Sequence, residues 1–296
     1  MKVSIVILNW NTKELLKQCL ESLKKSRGDL ETEVIVVDNG SQDGSVEMIK
    51  QFKSSTPDLK LHFIANKKNL GFARGNNQAI KMATGDFVML LNSDTIVQKG
   101  AIEKLAVYLI KSPKIAVASP LLLNKDGSIQ KDPCYLKFPS PVTAFFYYNS
   151  FLKKIAVKFF PWLLFSTTDF SQPVEVEQLP GAAVMFRKEV LKKLKGFDES
   201  YPLYFEDVDL SFRIRKLGYK LVVVPGAKII HLGRKSIEPL IKKEGIEKFY
   251  FLNFSSLFLF CEKNYSKFKA CLIKMIIFSH LLLTLRFSLI KKLIKR

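Results

Sequence analysis

Five short apolar-rich runs, separated by polar turns and helix-like segments, constrain this chain more than any other feature. They lie at residues 3–8, 34–37, 59–64, 87–91 and 115–118. A strand with one wet face alternates apolar and polar residues, whereas near-continuous runs such as Val34-Ile35-Val36-Val37 belong to strands covered on both faces. Between the runs, Leu15, Leu16, Cys19, Leu20 and Leu23 recur at helical spacing, as do Val46, Met48, Ile49 and Phe52. Residues 71–83 and 102–110 also read as helices, and Asn11 with Glu14 has the spacing of a capping box. This βαβα alternation predicts an α/β fold with a mainly parallel, Rossmann-like sheet and helices on both faces. Ligands of such sheets bind beyond the carboxyl ends of the strands. That rule selects Asn9-Trp10-Asn11, Asp38-Asn39-Gly40-Ser41 and Asn92-Ser93-Asp94, three polar clusters on one edge.

Residues 134–170 break the pattern. Phe145, Phe146, Tyr147, Tyr148, Phe151, Phe159, Phe160, Trp162 and Phe165 are interleaved with Lys153, Lys154 and Lys158, and the stretch reads as an insertion. Regular structure resumes near Val174, with an apolar segment at 181–186, a helix at 207–217 and a strand at 219–224 that ends in a Pro225-Gly226 turn. From Ser266 onward there are many cations and no carboxylate. The organisation expected is a catalytic domain over 1–236, with the insertion at 134–170, and a helical, basic and apolar C-terminal region over 237–296.

The polar clusters suggest chemistry. A carboxylate such as Asp94 at a strand end can hold Mg2+ or Mn2+, which favour oxygen ligands and often share them with substrate phosphates. Asp38 can accept a hydrogen bond from a base N–H, and Gly40 lets backbone approach a ligand. Gly71, Arg74, Gly75 and Asn76 open a helix as a phosphate-binding segment would. They form neither G-x-G-x-x-G nor a Walker A loop, which disfavours nicotinamide cofactors and P-loop hydrolysis. Glu206-Asp207 opens another helix and offers a general base, while Asp209 has the i,i+4 spacing to pair with Arg213. His231 is a candidate metal ligand, and Arg234, Lys235 or Ser236 can meet phosphate.

The formal net charge of +20 suggests an anionic partner. In a nucleic-acid-binding protein the cations would form a groove with aromatics around it; here the densest cation run is the apolar tail, which points to an anionic membrane surface and away from nucleic acid. Residues 275–285 are uncharged but well short of the ~20 residues that span a bilayer, so a helix lying in the headgroup plane is expected. The alternative is a tail that packs back on the domain. The first apolar run is too short for a signal peptide, and the scattered Cys19, Cys134, Cys261 and Cys271 form no metal or disulfide framework. Both point to the cytoplasm, with peripheral attachment at the inner face of the cell membrane.

Taken together, VSIVILNWN, VIVVDNGSQDGS, NLGFARGNNQAI, GDFVMLLNSDT, LPGAAVMFRKEVLKKLKGFDE, YFEDVDLSFRIRKLGYKLVVVP and HLGRKS resemble the family-2 inverting glycosyltransferases of the GT-A fold, closest to their rhamnosyltransferase-like branch. The resemblance runs over residues 3–236 and more loosely to 265. It implies transfer of a sugar, with rhamnose favoured, from a dTDP- or UDP-linked donor to a hydroxyl of a lipid-linked or other glycan acceptor in polysaccharide synthesis. By position, it implies Asp38 on the nucleotide base, Asp94 on Mg2+ or Mn2+, Asp207 of the Glu206-Asp207 pair as base, and His231 as a late metal or diphosphate ligand. The substrate-binding set is then Asn9, Asn11, Asp38, Asn39, Ser41, Gly71, Arg74, Asn76, Asn92, Ser93, Gly181 and Arg234. Asn92 stands where a full D-x-D has its first acid, so the cation site carries less charge. A nucleotidyltransferase on a similar sheet is the rival enzyme. It would carry a Gly-rich loop with a basic residue directly after the first strand, where this chain has Asn9-Trp10-Asn11.

Overall fold

The structure, a computed structural model, describes residues 1–26, 28–130, 135–179, 181–233, 241–242 and 244–295. Strands β1 (Lys2–Asn9), β2 (Glu31–Asp38), β3 (Lys60–Ala65) and β4 (Phe87–Asn92) form a parallel block in the order β3-β2-β1-β4. Helices α1 (Lys13–Ser26), α2 (Ser45–Ser55) and α3 (Phe72–Met82) make the crossovers. The apolar runs are buried as their lack of alternation requires: Val34 to Val37 and Val88 to Leu91 are all nearly inaccessible. Gly75 lets α3 lie close on β1, since a side chain there would collide with Leu8. The start of α1 differs from the capping box expected of Asn11 and Glu14. Asn11 has left-handed backbone (φ 52°), and the first helical N–H, that of Lys13, is accepted by Asp43 Oδ2 at 2.8 Å from the neighbouring loop.

Beyond β4 the sheet becomes mixed. After β5 (Thr95–Val97), α4 (Ala101–Lys111) and β6 (Ile115–Leu123) come β7 (Val174–Val176), β8 (Ala183–Arg187) and β9 (Lys220–His231). The order continues β4-β8-β6-β9-β5, with β7 on β9. β8 runs antiparallel to both its neighbours, while β6 and β9 are parallel. The strand expected to stop at Val224 instead continues to His231. Pro225-Gly226 is no terminal turn but part of a bulge: pairing with β6 passes from Pro120↔Val224 directly to Leu121↔Lys228. Bulges are where a sheet tolerates proline, and they bend the strand. The far half of β9 then pairs with β5, setting His231 opposite Thr95, one residue after Asp94.

Two large apolar clusters result. The main one fills both faces of the sheet, with Ile5, Ile7, Leu16, Leu20, Met89, Leu105, Leu109 and Met185 fully enclosed. The second gathers parts distant in sequence. The aromatic insertion forms α5 (Pro141–Tyr148) and α6 (Ser150–Phe159); α7 (Lys188–Leu194) and α8 (Glu206–Lys216) follow, then α9 (Ile246–Asn264), α10 (Lys267–Leu283) and α11 (Phe287–Ile294). Ala144 of α5, Phe258 and Phe260 of α9, and Ile273, Ile277 and Leu281 of α10 are buried together, with Phe205, Val208 and Phe212 packed against them. Each buried Phe or Ile here contributes ~1.5–3 kcal/mol. The tail therefore packs on the domain. Its outward stripe remains apolar, with Phe268 74% and Leu283 80% exposed. Among the described residues, no helix is long and apolar enough to cross a membrane.

Candidate functional site

Because β1, β2 and β4 are parallel neighbours, Asn9 lies beside Asp38 and Leu8 beside Asn92, so the three polar clusters meet at one sheet edge. At the β1–β2 end the side chains are spent on one another. Asn9 Nδ2 donates to Asp38 Oδ1 at 2.8 Å and to Ser41 Oγ at 3.2 Å, and Asn9 Oδ1 accepts from Thr12. Asp38 Oδ2 accepts the Ser41 N–H at 2.9 Å, and the Asn11 N–H donates to Ser41 Oγ. Asn39 is the hub of the next loop, donating to Asn69 Oδ1 and the Gly71 carbonyl and accepting from Leu70 and Asn66. Asn76 donates back to the Phe72 carbonyl within α3. Asn9, Asp38, Asn39 and Asn76 are all buried, so this structure presents them as struts that shape the edge. Gly71 and Arg74 are the exposed members of this group. Arg74 Nε pairs with Glu199 Oε2 at 2.9 Å, an exposed contact worth ~0–1 kcal/mol that an anionic ligand can outcompete.

The β4 end is different. Asn92 closes the strand with its N–H on the Ala182 carbonyl, and Ser93 Oγ contacts Thr12 Oγ1 at 2.8 Å. Asp94 is fully buried, yet neither carboxylate oxygen has a hydrogen-bond partner among the described residues. His231 Nε2 stands 3.4 Å from Asp94 Oδ1 without bonding to it. A buried carboxylate left unpaired costs more than the ~1–3 kcal/mol of a neutral group, and a divalent cation would resolve this. The residues present fit one as part of a larger shell: no group of three or more His, Cys, Asp or Glu forms a cation cage among the described residues. Asp94 and His231 would supply two donors, leaving the other positions to phosphate oxygens and water, the usual habit of Mg2+.

The third element is Glu206-Asp207 at the head of α8. Asp207 Oδ2 accepts the Gly181 N–H at 3.0 Å, and its Oδ1 accepts the Val208 N–H at 2.9 Å. Gly181 adjoins Ala182, which binds Asn92, so two residues of backbone connect Asp207 to the β4 end. A side chain at 181 would stand 3.3 Å from Asp207 Oδ2, which accounts for the glycine. Burial raises both carboxyl pKa values; Glu206 is pushed up to about 8 by burial first and then by the charge of Asp207. The two N–H donors on Asp207 favour its ionised form, so Asp207 holds the charge and Glu206 the proton. Asp209 pairs with Arg213 Nε at 2.6 Å and also accepts from Tyr201 and Asn264. Tyr204 and Phe205, just before the pair, have left-handed backbone (φ 60° and 67°), a strain found where surrounding packing over-determines a turn. Here α9 does so: Phe205 packs on Phe260, Tyr204 on Phe249, and the Leu203 N–H donates to Ser256.

Arg234, Lys235 and Ser236 lie outside the described residues. Sequence reasoning passed over Gln130, whose Oε1 is 2.7 Å from His231 Nδ1, and Glu199, the partner of Arg74. The Asp126-Gly127 turn signals a returning hairpin ahead of Gln130, the one local hint available. It also passed over the α9 contacts, for which no local signal exists.

Comparison with known proteins agrees with this architecture. The model of Glycosyl transferase family 2 matches residues 4–195, and that of Glycosyl transferase family group 2 matches 135–289. An uncharacterized glycosyltransferase, YfnE of Bacillus subtilis, is 41% identical over 104 residues, 35% of this chain and 26% of the relative. An N-acetylglucosaminyl-diphospho-decaprenol L-rhamnosyltransferase of Mycobacterium tuberculosis is 28% identical over 214 residues, 67% of this chain and 66% of the relative. The chain thus matches less than two thirds of the length of either. Among solved structures, the Pyrobaculum calidifontis mannosyltransferase PcManGT in complex with GDP-Man and Mn2+ superposes with TM-score 0.59 at 18% identity, covering 91% of this chain and 67% of that one. TarS 1–349 of S. aureus gives 0.56 at 16%, covering 95% and 72%. The fold is GT-A, and the chain belongs to glycosyl transferase family 2, on the side of it that resembles the rhamnosyltransferases.

Proposed function

We propose that the chain moves a sugar from a nucleoside diphosphate to a hydroxyl of a lipid-linked glycan with inversion at the anomeric carbon, using Mg2+ or Mn2+. The observation that carries this is the pairing of Asp94, buried with both oxygens unpartnered, with an ionised Asp207 two backbone residues from the same strand end. Asp207 takes the proton of the acceptor hydroxyl as its oxygen bonds to the anomeric carbon. The bond from that carbon to the diphosphate breaks on the opposite side, so configuration inverts. A bound divalent cation would neutralise the charge gathering on the departing diphosphate. Arg74 lies at the open, exposed start of α3, where it can trade Glu199 for phosphate. Gly181 orients the base through its N–H. The struts around Asp38 hold the loop that would receive the nucleotide. A dTDP- or UDP-linked sugar is the donor favoured by the rhamnosyltransferase resemblance, and the decaprenol in that relative's name favours a lipid-linked acceptor.

The lipid reading draws further support from the surface. Phe145, Phe151, Phe159 and Trp162 of the insertion and Phe268, Leu283 and Leu285 of the tail are exposed, with Lys153, Lys154, Lys158 and Lys291 among them. The α5 and α10 helices, which carry Phe145, Phe268 and Leu283, pack together in one cluster. Cations near anionic lipid gain ~1 kcal/mol each. Docking at the inner face of a membrane would bring the site to a lipid-linked acceptor. Truncation after Tyr265 would strip Ile273, Ile277 and Leu281 from the core. The suitable variant is instead Phe151→Ser with Trp162→Ser and Leu283→Ser. It should lose flotation with phosphatidylglycerol vesicles while its melting temperature holds; retained flotation refutes docking. For the reaction, dTDP-, UDP- and GDP-sugars are screened for Mn2+-dependent thermal stabilisation and transfer to a polyprenyl-diphosphate glycan. Stabilisation by none of them refutes the donor reading, and a retained anomeric configuration refutes single displacement.

A further inference from the structure

We propose that Gln130 is a positioning residue that locks His231 with Nδ1 protonated and the Nε2 lone pair turned toward Asp94, at the end of a one-way hydrogen-bond chain beginning at Asp126. The chain is built in a hairpin that follows β6. The Asn124 N–H donates to the Ser128 carbonyl, and the Gln130 N–H donates back to Leu122 at 2.9 Å. Because Leu122 and Leu123 pair with Ile229 and Ile230, this return sets Gln130 against the end of β9.

The direction of every bond follows from one group. An ionised carboxylate only accepts, so Ser128 Oγ must donate to Asp126 Oδ1, 2.6 Å away. A serine hydroxyl has one proton; with it committed, Ser128 Oγ is the acceptor for Asn124 Nδ2 at 2.9 Å. The amide of Asn124 is thereby oriented, and its Oδ1 accepts from Gln130 Nε2 at 3.1 Å. Gln130 Nε2 also lies 3.4 Å from the His231 carbonyl, another group that only accepts. The N and O ends of an amide are told apart only by their partners, and Asn124 Oδ1 and the His231 carbonyl, which stand beside this nitrogen, are both acceptors. Gln130 Oε1 therefore faces His231 Nδ1 at 2.7 Å, which requires a proton on Nδ1. A neutral imidazole then has a bare Nε2.

That bare nitrogen stands 3.4 Å from Asp94 Oδ1, an oxygen with no other partner among the described residues. Two lone pairs facing one another repel. For the neutral ring, the relay thus makes the His231–Asp94 approach unfavourable in the chain alone and favourable around a cation, and it keeps that ring from donating a hydrogen bond to Asp94. Metal-bound histidines commonly give their other N–H to such an acceptor; here the acceptor is a neutral amide whose own polarity is set from the surface. This inference rests on the cation reading above only for its consequence. The tautomer is a property of the chain alone.

The test separates the two. With three histidines in the chain, long-range nitrogen–proton NMR in mildly alkaline buffer reports the tautomer of His231 without metal. The wild type should show Nδ1–H. Gln130→Leu should lose that preference, and Gln130→Glu should restore it, since a carboxylate also accepts. Titration of Mn2+ in the presence of dTDP should show affinity lowered ~10–100-fold in Gln130→Leu and recovered in Gln130→Glu. An Nε2–H signal in the wild type, or an unchanged tautomer in a folded Gln130→Leu, overturns the proposal. A wild type that shows Nδ1–H but binds no Mn2+ with dTDP or any other nucleotide supports the relay and overturns the cation reading instead.

Discussion

Asp38, at the end of β2, and Asp94, just past the end of β4, flank β1 on the same sheet edge, and both are wholly shielded from solvent, yet their surroundings are opposite. Asp38 has Asn9 on one oxygen and Ser41 on the other; among the described residues no hydrogen bond reaches either oxygen of Asp94. Burial alone therefore does not mark a functional acid. What marks it is burial without payment in hydrogen bonds, which a folded chain keeps only where something else completes the site. The β1–β2 end is finished by the protein. The β4–β9 end is, on the function proposed above, completed by a ligand.

The largest effect expected lies next to this contrast, at the base. Asp207→Asn should lower turnover by ~10²–10⁴-fold while the melting temperature and nucleotide binding hold; near-normal turnover would move the base to Glu206. The contrast itself is broken or confirmed by a matched pair. Asp38→Asn should destabilise by ~1–3 kcal/mol, as a strut carrying two donors is disturbed. Asp94→Asn should raise the melting temperature of the metal-free chain, because it removes an unpaired buried charge, and should abolish stimulation by Mn2+. Equal losses of stability in both variants would erase the distinction drawn here. A smaller effect is expected at Gly181→Ala, where the new methyl group crowds Asp207 Oδ2 at 3.3 Å. Turnover should fall by less than the ~10²-fold attached to a 1 Å misplacement, with KM for the donor nearly unchanged.

The last prediction concerns pH. A carboxyl whose folded pKa exceeds its unfolded value holds a proton that the unfolded chain releases. The contribution of Glu206 is thus fully present below its ordinary 4.5 and is lost as pH rises toward about 8. Glu206→Gln should flatten the decline of stability across that window, as read by denaturant midpoints at several pH values. For activity, with Asp207 as the proposed base acting in its charged form, its raised pKa should place the acid limb of kcat/KM above the usual aspartate range. An acid limb at or below 3.8 contradicts the burial argument.

Much of the parallel block was legible because near-continuous apolar runs have few other uses. The acids and His231 were legible as an ordered set of motifs. The remainder depends on facts that local pattern does not hold. Pro225-Gly226 reads as a turn anywhere, and only the pairing of β6 and β5 makes it a bulge within a longer strand. Thr95–Val97 is too short to announce itself as a strand. Asn9, Asn39 and Asn76 look like ligand groups because they are polar residues near a strand edge or a helix start; whether such a group faces a neighbour or a substrate is decided by tertiary contacts. The tail carries the same ambiguity: residues 275–285 are apolar enough for a membrane, and part of that apolarity is spent inward on Ile277 and Leu281.

The second apolar cluster has a consequence for synthesis. Ala144 is finally covered by residues as far along as Ile277 and Leu281, roughly 140 positions later. At ~5–20 residues per second, the ribosome leaves that aromatic hairpin bare for about 7–28 s. During this interval Ala144 and Tyr148 belong to an apolar nascent surface whose cover does not yet exist. Until α9 and α10 emerge, that face is open to any apolar surface the nascent chain meets.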